Sequence, residues 1–292
     1  MSFATSSFKV TDGHHFHLAE HPTELREHIS KDSLKKLLEE DRARIIELQG
    51  RLYAEERRSL LLIFQAMDAA GKDSAIDHVL SGVNPQGCSV TSFKQPNNEE
   101  LRHDFLWRHM KAVPARGMIG VHNRSHYEEV LVVKVHPEYL LGQRLPDVAS
   151  AKDATDAFWK RRYEAIRAWE EHLAANGTTI MKFFLNMGKK EQKKRFLERI
   201  DDPKKNWKFS IGDVKEREHF DAYMKAYEEA IRATAAPHAP WFVVPADEQW
   251  ETRAIVGDLV REQMEAMDPR IPGLSTQARS QLEEARKLLG AG

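Results

Sequence analysis

The sequence has few of the features that would assign a class of protein at once. It contains a single cysteine, Cys88, so no internal disulfide can form, which fits a reducing cytosol. No apolar run approaches the roughly 18–20 residues that a membrane-spanning helix needs. The first residues, MSFATSSFKVTDGHHFHLAEH, lack the basic-then-apolar pattern of a secretory signal. We therefore expect a cytoplasmic protein without a membrane partner.

The net charge is also close to zero. The 44 Lys and Arg side chains against 45 Asp and Glu give a formal charge of −1. No overall field therefore attracts nucleic acid, and a polyanion site must come from local clustering. The 292 residues, of which 41% are hydrophobic, suffice to bury a large core.

The spacing of apolar residues predicts an α/β protein. From Asp32 and Ser33 to Leu52, leucines and isoleucines recur every three or four residues, which is typical of a long amphipathic helix. Five short apolar segments follow, with helical patterns between them: Leu60–Met67, Cys88–Phe93, Met118–His122, Thr179–Leu185 and Trp241–Val244. Strands that alternate with helices favour a parallel five-stranded sheet flanked by helices.

The remaining segments are predicted as follows. One helix starts at Asn98 and stops before Pro114, a second spans about 155–176, and a third carries Phe220 and Ile231 on its buried face. The other predictions are weakly patterned polar residues at 1–30, a surface loop at 142–155 and a short helix at 278–289.

A turn of small residues joins the first strand to a helix. The run AMDAAGKDSA places this turn directly before Ile76, Val79 and Leu80. Small residues let backbone N–H groups approach an anion, and a helix N-terminus adds a favourable partial charge. We predict a P-loop in which Lys72 reaches phosphate oxygens as a point charge. The predicted phosphate contacts of the loop are Ala69, Ala70, Gly71, Lys72, Asp73 and Ser74.

This loop departs from the generic pattern G-x-x-x-x-G-K-[ST] at two positions. Ala66 replaces the first glycine, and Asp73 follows the lysine. Without a hydroxyl beside Lys72, magnesium must be held differently, and Asp68 is the natural ligand. The alternative is an incidental Gly-Lys at a helix start, but the order strand, turn, helix favours a phosphate site.

A second polar cluster follows the strand Met118–His122. Ligands of doubly wound folds bind at the carboxyl ends of the strands, so the residues after this strand should lie beside the loop. Asn123 offers a neutral oxygen to a metal ion, and Arg124 offers a rigid fork to phosphate oxygens. The alternative is a helix-capping Asn beside a solvated Arg.

The segment from Gly188 to Lys208 is strongly basic. Nine cations against four carboxylates give it a local net charge of +5. We interpret it as a mobile lid that closes over a polyanion and supplies an arginine to the reacting phosphate. The alternatives are a solvated helical face and a nucleic-acid site, but apart from Trp207 we expect no exposed aromatic residue between the cations.

Several long runs in the right order resemble the family-2 polyphosphate kinases, across roughly residues 20–270. They are FQAMDAAGKDSAI, FLWRHMKAVPARGMIGVHNRSHYEEVLVVKVHPE, FFLNMGKKEQKKRFLERIDDPKKNWKFS, EREHFDAYMKAYEEAI and HAPWFVVPAD. The resemblance implies a kinase-like core with a helical lid, and a homo-oligomer. It also implies transfer of phosphoryl groups between inorganic polyphosphate and nucleotides, with Mg²⁺, or Mn²⁺ in its place.

The resemblance also implies roles for individual residues. Asp68 is implied as a metal ligand, Lys72 and Arg124 as phosphate binders, and Arg195 as a lid arginine. With Asn123, which its strand-end position makes a metal ligand or a partner of one, these are the predicted catalytic residues. Further phosphate contacts in the lid are Lys193, Lys194 and Lys208. Asn123 occupies a position where the ADP-only members carry Asp, and the run NRSHYE looks like the subgroup that accepts AMP as well as ADP. AMP, ADP, ATP and guanine nucleotides are therefore the candidate nucleotides.

These observations define a domain organisation and a reaction. Residues 1–56 form a helical extension, 57–270 the core with a lid at about 188–215, and 271–292 a tail helix. We expect in-line transfer of a phosphoryl group to AMP or ADP. An acceptor that is already an anion needs no strong base, so positioning and charge neutralisation carry the catalysis. The alternatives are an ATP-dependent nucleoside-monophosphate kinase and a non-catalytic polyanion-binding module.

Overall fold

The computed structural model describes residues 3–290, apart from the side chain of Lys208. Its central sheet consists of β1 (Lys9–Val10), β2 (Ser59–Ala66), β3 (Cys88–Ser92), β4 (Ile119–Asn123), β5 (Thr178–Asn186) and β6 (Trp241–Pro245). Their spatial order is β1-β6-β5-β2-β4-β3.

The sheet is mixed. Strands β2 to β6 pair in parallel, and β1 pairs antiparallel with β6 through Lys9 and Phe242. The predicted α/β class is confirmed, but the sheet has six strands and is not parallel throughout. The strand β1 was missed because two residues carry no periodic signal.

Helices cover both faces of the sheet and form the tail. They are α1 (Lys31–Glu55), α2 (Lys72–Leu80), α3 (Trp107–Met110), α4 (Val132–Val135), α5 (Asp156–Ala175), α6 (Lys189–Asp201), α7 (Ile211–Glu216), α8 (Phe220–Thr234), α9 (Gln249–Met267) and α10 (Thr276–Gly290). Within residues 3–290, no helix combines the length and the apolarity that crossing a bilayer requires.

The long helices begin and end at the expected signals. Helix α1 starts after Ser30, whose hydroxyl accepts the Ser33 N–H at 3.2 Å, and it packs along α9. Helix α5 starts after Thr155, and Gly177 follows it in the left-handed conformation (φ 93°) that glycine adopts without strain. The predicted helices at 155–176 and 278–289, and the one around Phe220, are confirmed as α5, α10 and α8.

The helix predicted from Asn98 to Pro114 is wrong. This segment contains a single 3₁₀ turn, Glu100–Arg102, and the four-residue α3. The Asn97 side chain caps the first turn, and the Asp104 carboxylate accepts the Leu106 N–H at 2.9 Å and starts another. Two local caps within eight residues break the segment into separate turns.

The N-terminal segment is better packed than its polar composition indicates. Phe8, Val10, Phe16 and Leu18 are buried in the main core. The core itself lies around β2, in which every residue is buried. Because β2, β4, β5 and β6 run in parallel, the loops that follow them meet at one edge of the sheet.

Candidate active site

The turn after β2 is compact and strained at one position. We call residues 67–74 the Lys72 loop. The Ala70 N–H donates to the Met67 carbonyl at 3.2 Å, and both Ala69 (φ 68°) and Gly71 (φ 95°) are left-handed. Glycine adopts this conformation freely, whereas alanine loses about 1–2 kcal/mol in it. The turn brings the N-terminus of α2 to the edge of the sheet. The residue before this helix is Gly71, which has no side chain to cap its N–H groups.

Lys72 is the first residue of α2 and is buried. Its Nζ donates to the Ala66 carbonyl at 3.0 Å, and no carboxylate of residues 3–290 forms an ion pair with it. Burial lowers the pKa of Lys72, and the nearby charge of Arg124 lowers it further. Within the described structure, Lys72 is therefore a buried lysine with no direct ion pair, beside the predicted anion site.

Arg124 links the end of β4 to the Lys72 loop. Its Nη2 donates to Asp68 Oδ1 at 2.8 Å, and its Nη1 lies 3.5 Å from Glu128 Oε2. These two carboxylates, Glu128 foremost, raise the pKa of Arg124, while burial raises the pKa of Glu128. Glu128 was missed at the sequence level, although its position four residues after Arg124 is the spacing of a local ion pair.

Asn123 contacts the Lys72 loop from the same strand end. Its Nδ2 donates to Asp73 Oδ1 at 2.5 Å and lies 3.5 Å from Ser92 Oγ. Ser74 is tied to helix α9, because its hydroxyl accepts a hydrogen bond from Arg253 Nη2 at 2.7 Å. The structure thus brings together the predicted site residues of the loop and of β4.

The basic segment divides into two sets of residues. Arg195 is buried and donates to backbone carbonyls of the Lys72 loop and of the turn after β6. Lys193 and Lys194 are exposed, and Lys194 pairs with Glu191 at 3.2 Å. The side chain of Lys208 lies outside the described part of the structure. Among the predicted lid cations whose side chains the structure describes, only Arg195 contacts the loop.

A pocket of about 670 Å³ lies beside the loop. Asp68, Arg124 and Glu128 are among its lining residues, as is Asp213 from α7. Burial and the Asp68 charge raise the pKa of Asp213, and Arg199 lies 3.6 Å from its carboxylate. No sequence signal pointed to Asp213. A volume of this size suits a small-molecule ligand such as a nucleotide.

The donor chemistry of the predicted metal ligands suits a hard cation. The second carboxylate oxygen of Asp68 and the amide oxygen of Asn123 accept no hydrogen bond from residues 3–290. Among these residues, no group of three or more His, Cys, Asp or Glu side chains is arranged to hold a metal ion. Such a sparse set fits Mg²⁺, which keeps several waters and takes further oxygens from phosphates.

The α/β sheet carries a lysine-bearing turn, a neighbouring arginine and a nucleotide-sized pocket at one edge. These features are typical of proteins that bind or transfer phosphate groups. Comparison with known families makes this assignment specific. The sequence model of the family Polyphosphate kinase 2 (PPK2) matches residues 28–272, so the chain belongs to this family and the predicted resemblance is confirmed.

Individual relatives agree with this assignment. The chain is 48% identical to the ADP-polyphosphate phosphotransferase of Rhodopseudomonas palustris, over 99% of both chains. It is 44% identical to the AMP/ADP-polyphosphate phosphotransferase of Meiothermus ruber, over 78% of this chain and 80% of the relative. The crystal structure of polyphosphate kinase 2 from Arthrobacter aurescens TC1 superposes with a TM-score of 0.87 at 39% identity, covering 100% of this chain and 98% of that one.

Proposed function

We propose that this protein transfers phosphoryl groups between inorganic polyphosphate and nucleotides, converting AMP to ADP and ADP to ATP reversibly. The observation that carries the proposal is the position of Asp68 and Arg124 on the wall of the pocket, directly beside buried Lys72. The names of the relatives specify polyphosphate as one substrate and AMP or ADP as the other.

Charge neutralisation is the main task of these residues. Lys72 and the N-terminus of α2 bind the oxygens of the transferring phosphate, and Arg124 binds the same group or its acceptor. Each such contact in a site shielded from water contributes about 3–4 kcal/mol to the transition state. No general base is needed, because the attacking group is a phosphate oxygen that is already ionised.

Magnesium belongs to this proposal. Asp68 and Asn123 would hold it, each through an oxygen that accepts no hydrogen bond within the described part of the structure. A bound Mg²⁺ neutralises charge on phosphate oxygens and holds them in register. Mn²⁺ is the expected substitute, since it prefers the same oxygen ligands.

The exposed cations of the lid are proposed to bind the donor chain. Lys193 and Lys194 lie on the solvent side of α6, where successive phosphates of a flexible polymer can reach them. Lys208 is expected to add a third contact. This surface, rather than a groove with interleaved aromatics, favours polyphosphate over nucleic acid as the polyanion.

A product assay tests the proposal. Purified protein with Mg²⁺ and polyphosphate is offered AMP, ADP or the guanine nucleotides, and the products are separated by anion-exchange chromatography. We expect di- and triphosphates to form from polyphosphate, and nothing above background when ATP replaces polyphosphate as the donor to AMP. Transfer from ATP alone would identify a nucleoside-monophosphate kinase, and binding without turnover would identify a non-catalytic module. Light scattering on the same sample tests the expected homo-oligomer.

A further inference from the structure

Arg195 is buried, whereas the other cations of the basic segment whose side chains the structure describes are exposed or half-buried. Its Nη1 donates to the Ala69 carbonyl at 3.1 Å, and its Nη2 donates to the carbonyls of Ala246 and Asp247 at 2.7 and 2.9 Å. Its Nε donates to Glu191 Oε1 at 3.0 Å. All three nitrogens are therefore engaged by the protein itself.

These bonds join helix α6 to the Lys72 loop. One turn earlier on the same helix face, Gln192 Nε2 donates to the Asp68 carbonyl at 3.2 Å. Two consecutive carbonyls of the loop, those of Asp68 and Ala69, thus both accept a hydrogen bond from α6. The start of α6 is anchored as well, because the Gly188 N–H donates to Asp247 Oδ1 at 2.7 Å.

The bond to Ala69 acts on the strained residue of the loop. Ala69 is left-handed at φ 68°, a conformation that a residue with a side chain keeps only when its surroundings hold it there. The hydrogen bond from Arg195 fixes the peptide group between Ala69 and Ala70. That peptide precedes Gly71 and the N-terminus of α2, so its orientation sets where the anion-binding N–H groups lie.

The same contacts argue against a direct role for this guanidinium at the transferring phosphate. Turning it into the pocket would leave the buried carbonyl of Ala246 without its donor, and unsatisfied buried acceptors are costly. Arg199, one turn further along α6, instead pairs with the pocket residue Asp213.

We propose that Arg195 is a positioning residue that holds the Lys72 loop in its phosphate-binding conformation. The first half of α6, residues 189–196, is then a fixed support of the loop, and any lid motion starts beyond Phe196. This inference rests on the proposed function for the identity of the ligand, because it deepens the account of the same site.

The test uses Arg195→Gln, with Arg161→Gln on the exposed side of α5 as the matched control. The affinity for tripolyphosphate is measured by calorimetry without acceptor, and deuterium uptake is followed in a peptide covering 66–75. We expect Arg195→Gln to weaken tripolyphosphate binding about tenfold and to speed hydrogen exchange in the loop. The reason is that the N–H groups of a mispositioned loop no longer point at the bound phosphate. Arg161→Gln should leave both quantities at the wild-type level.

A second substitution separates positioning from general damage. Glycine enters the left-handed region without strain, so in Ala69→Gly the loop conformation should depend less on the hydrogen bond from Arg195. We expect Arg195→Gln to cost clearly less affinity when it is added to Ala69→Gly than when it is added to the wild type. If Arg195→Gln does not fold, Arg195→Lys keeps the charge but cannot reach three carbonyls, and the same measurements apply to it.

Opposite results overturn the inference. Wild-type affinity and wild-type loop exchange in Arg195→Gln, with a large loss of kcat alone, would place the guanidinium on the transferring phosphate. Additive effects of the two substitutions would also contradict it, because they show no coupling between Arg195 and Ala69. Neither measurement needs turnover, so a failure of the proposed reaction would be seen separately in the product assay.

Discussion

Two regions of this molecule present cations to a polyanion, and they are built in opposite ways. At the ends of β2 and β4, Lys72 is buried and Arg124 pairs with Asp68 and Glu128, so every charge has a fixed place. On α6, Lys193 and Lys194 stand in solvent. The first arrangement suits a single phosphate that must be held in one geometry. The second suits a polymer whose phosphates are interchangeable, since exposed charges attract without ordering.

The comparison predicts that the largest losses follow changes at the strand ends. Lys72→Ala should lower kcat/KM by about 10²–10³, because one preorganised charge contact contributes about 3–4 kcal/mol. Stability should change little, since Lys72 has no ion pair to lose within the described structure. Steady-state kinetics and urea unfolding measure the two quantities. Lys160→Ala, on exposed α5, is the control, and near-normal turnover in Lys72→Ala would remove the loop from the mechanism.

Asp68→Asn should be the next most damaging change, at about 10–100-fold in kcat/KM. It removes a proposed metal ligand and also the charge that Arg124 contacts at 2.8 Å. Titrating Mg²⁺ separates these effects, because the loss of a ligand is partly rescued by excess ion and the loss of the Arg124 contact is not. An unchanged magnesium dependence would exclude Asp68 from the metal site.

The sequence predicted the strand-end region well, and for a physical reason. Each parallel strand is a continuous apolar run, which is visible in the sequence. The small and cationic residues that follow the strands are the types that bind an anion at the edge of a sheet, so they are visible as well. Asp68, Lys72, Asn123 and Arg124 were predicted in this way, and the structure brings them together, while their roles stay predictions. Glu128 was missed because its position on the pocket wall follows from folding and not from a motif.

The lid region was less predictable because its contacts are between distant segments. No local pattern indicates that Arg195 reaches carbonyls after β6, or that Asp213 lines the same pocket as Asp68. The boundaries at 56 and 270 stay predictions. The strand β1 and the burial of Phe16 likewise depend on packing against partners far along the chain.

A third prediction concerns the layer beneath the end of β4. His109, His122 and His126 are fully buried with neighbouring rings, and each has a ring nitrogen without a hydrogen-bond partner in the described structure. Burial lowers the pKa of all three, that of His122 to about 4. In the unfolded chain these pKa values are near 6.5, so acid protonates the unfolded state first.

The protein should therefore lose stability as the pH falls below about 6.5, by roughly 2 kcal/mol per buried histidine at pH 5. Urea unfolding from pH 8 to pH 5 measures the slope. His109→Leu should flatten it by one histidine's share, whereas His15→Leu, at an exposed position, should not. A slope that is the same in His109→Leu and wild type would mean that this histidine binds the same number of protons in the folded and the unfolded state.

The fourth prediction addresses the exposed side of α6. Lys193→Glu with Lys194→Glu should raise KM for polyphosphate about 10–30-fold and leave KM for the nucleotide nearly unchanged, since surface charge contacts contribute up to about 1 kcal/mol each. Wild-type KM for polyphosphate should rise with salt, because charges beyond about 8 Å are screened at physiological ionic strength. Donor use that is insensitive to both changes would contradict the lid interpretation, whereas KM for the nucleotide serves as the internal control.

The smallest expected effect is on acceptor choice, and it concerns Asn123. Relatives of this chain are named for ADP or for AMP and ADP, and the run NRSHYE favours both acceptors here. In the structure the Asn123 amide donates to Asp73 at 2.5 Å. Asn123→Asp would set two carboxylates against each other, a repulsion of about 4 kcal/mol at 4 Å and an effective dielectric near 20, unless a cation lies between them.

We expect this change to depress AMP phosphorylation more than ADP phosphorylation, by up to about tenfold, which needs only about 1.4 kcal/mol. AMP must bring its single phosphate deep into the site, where it meets the added negative charge, whereas the β-phosphate of ADP reaches further toward the donor. The ratio of kcat/KM values for AMP and ADP, with polyphosphate as donor, is the measurement. Asn123→Asp combined with Asp73→Asn restores one amide and one carboxylate in exchanged positions, so it removes the repulsion without restoring the original residue. If the double variant recovers the wild-type ratio, charge at this contact sets acceptor choice; if Asn123→Asp leaves the ratio unchanged, acceptor choice is set elsewhere in the pocket.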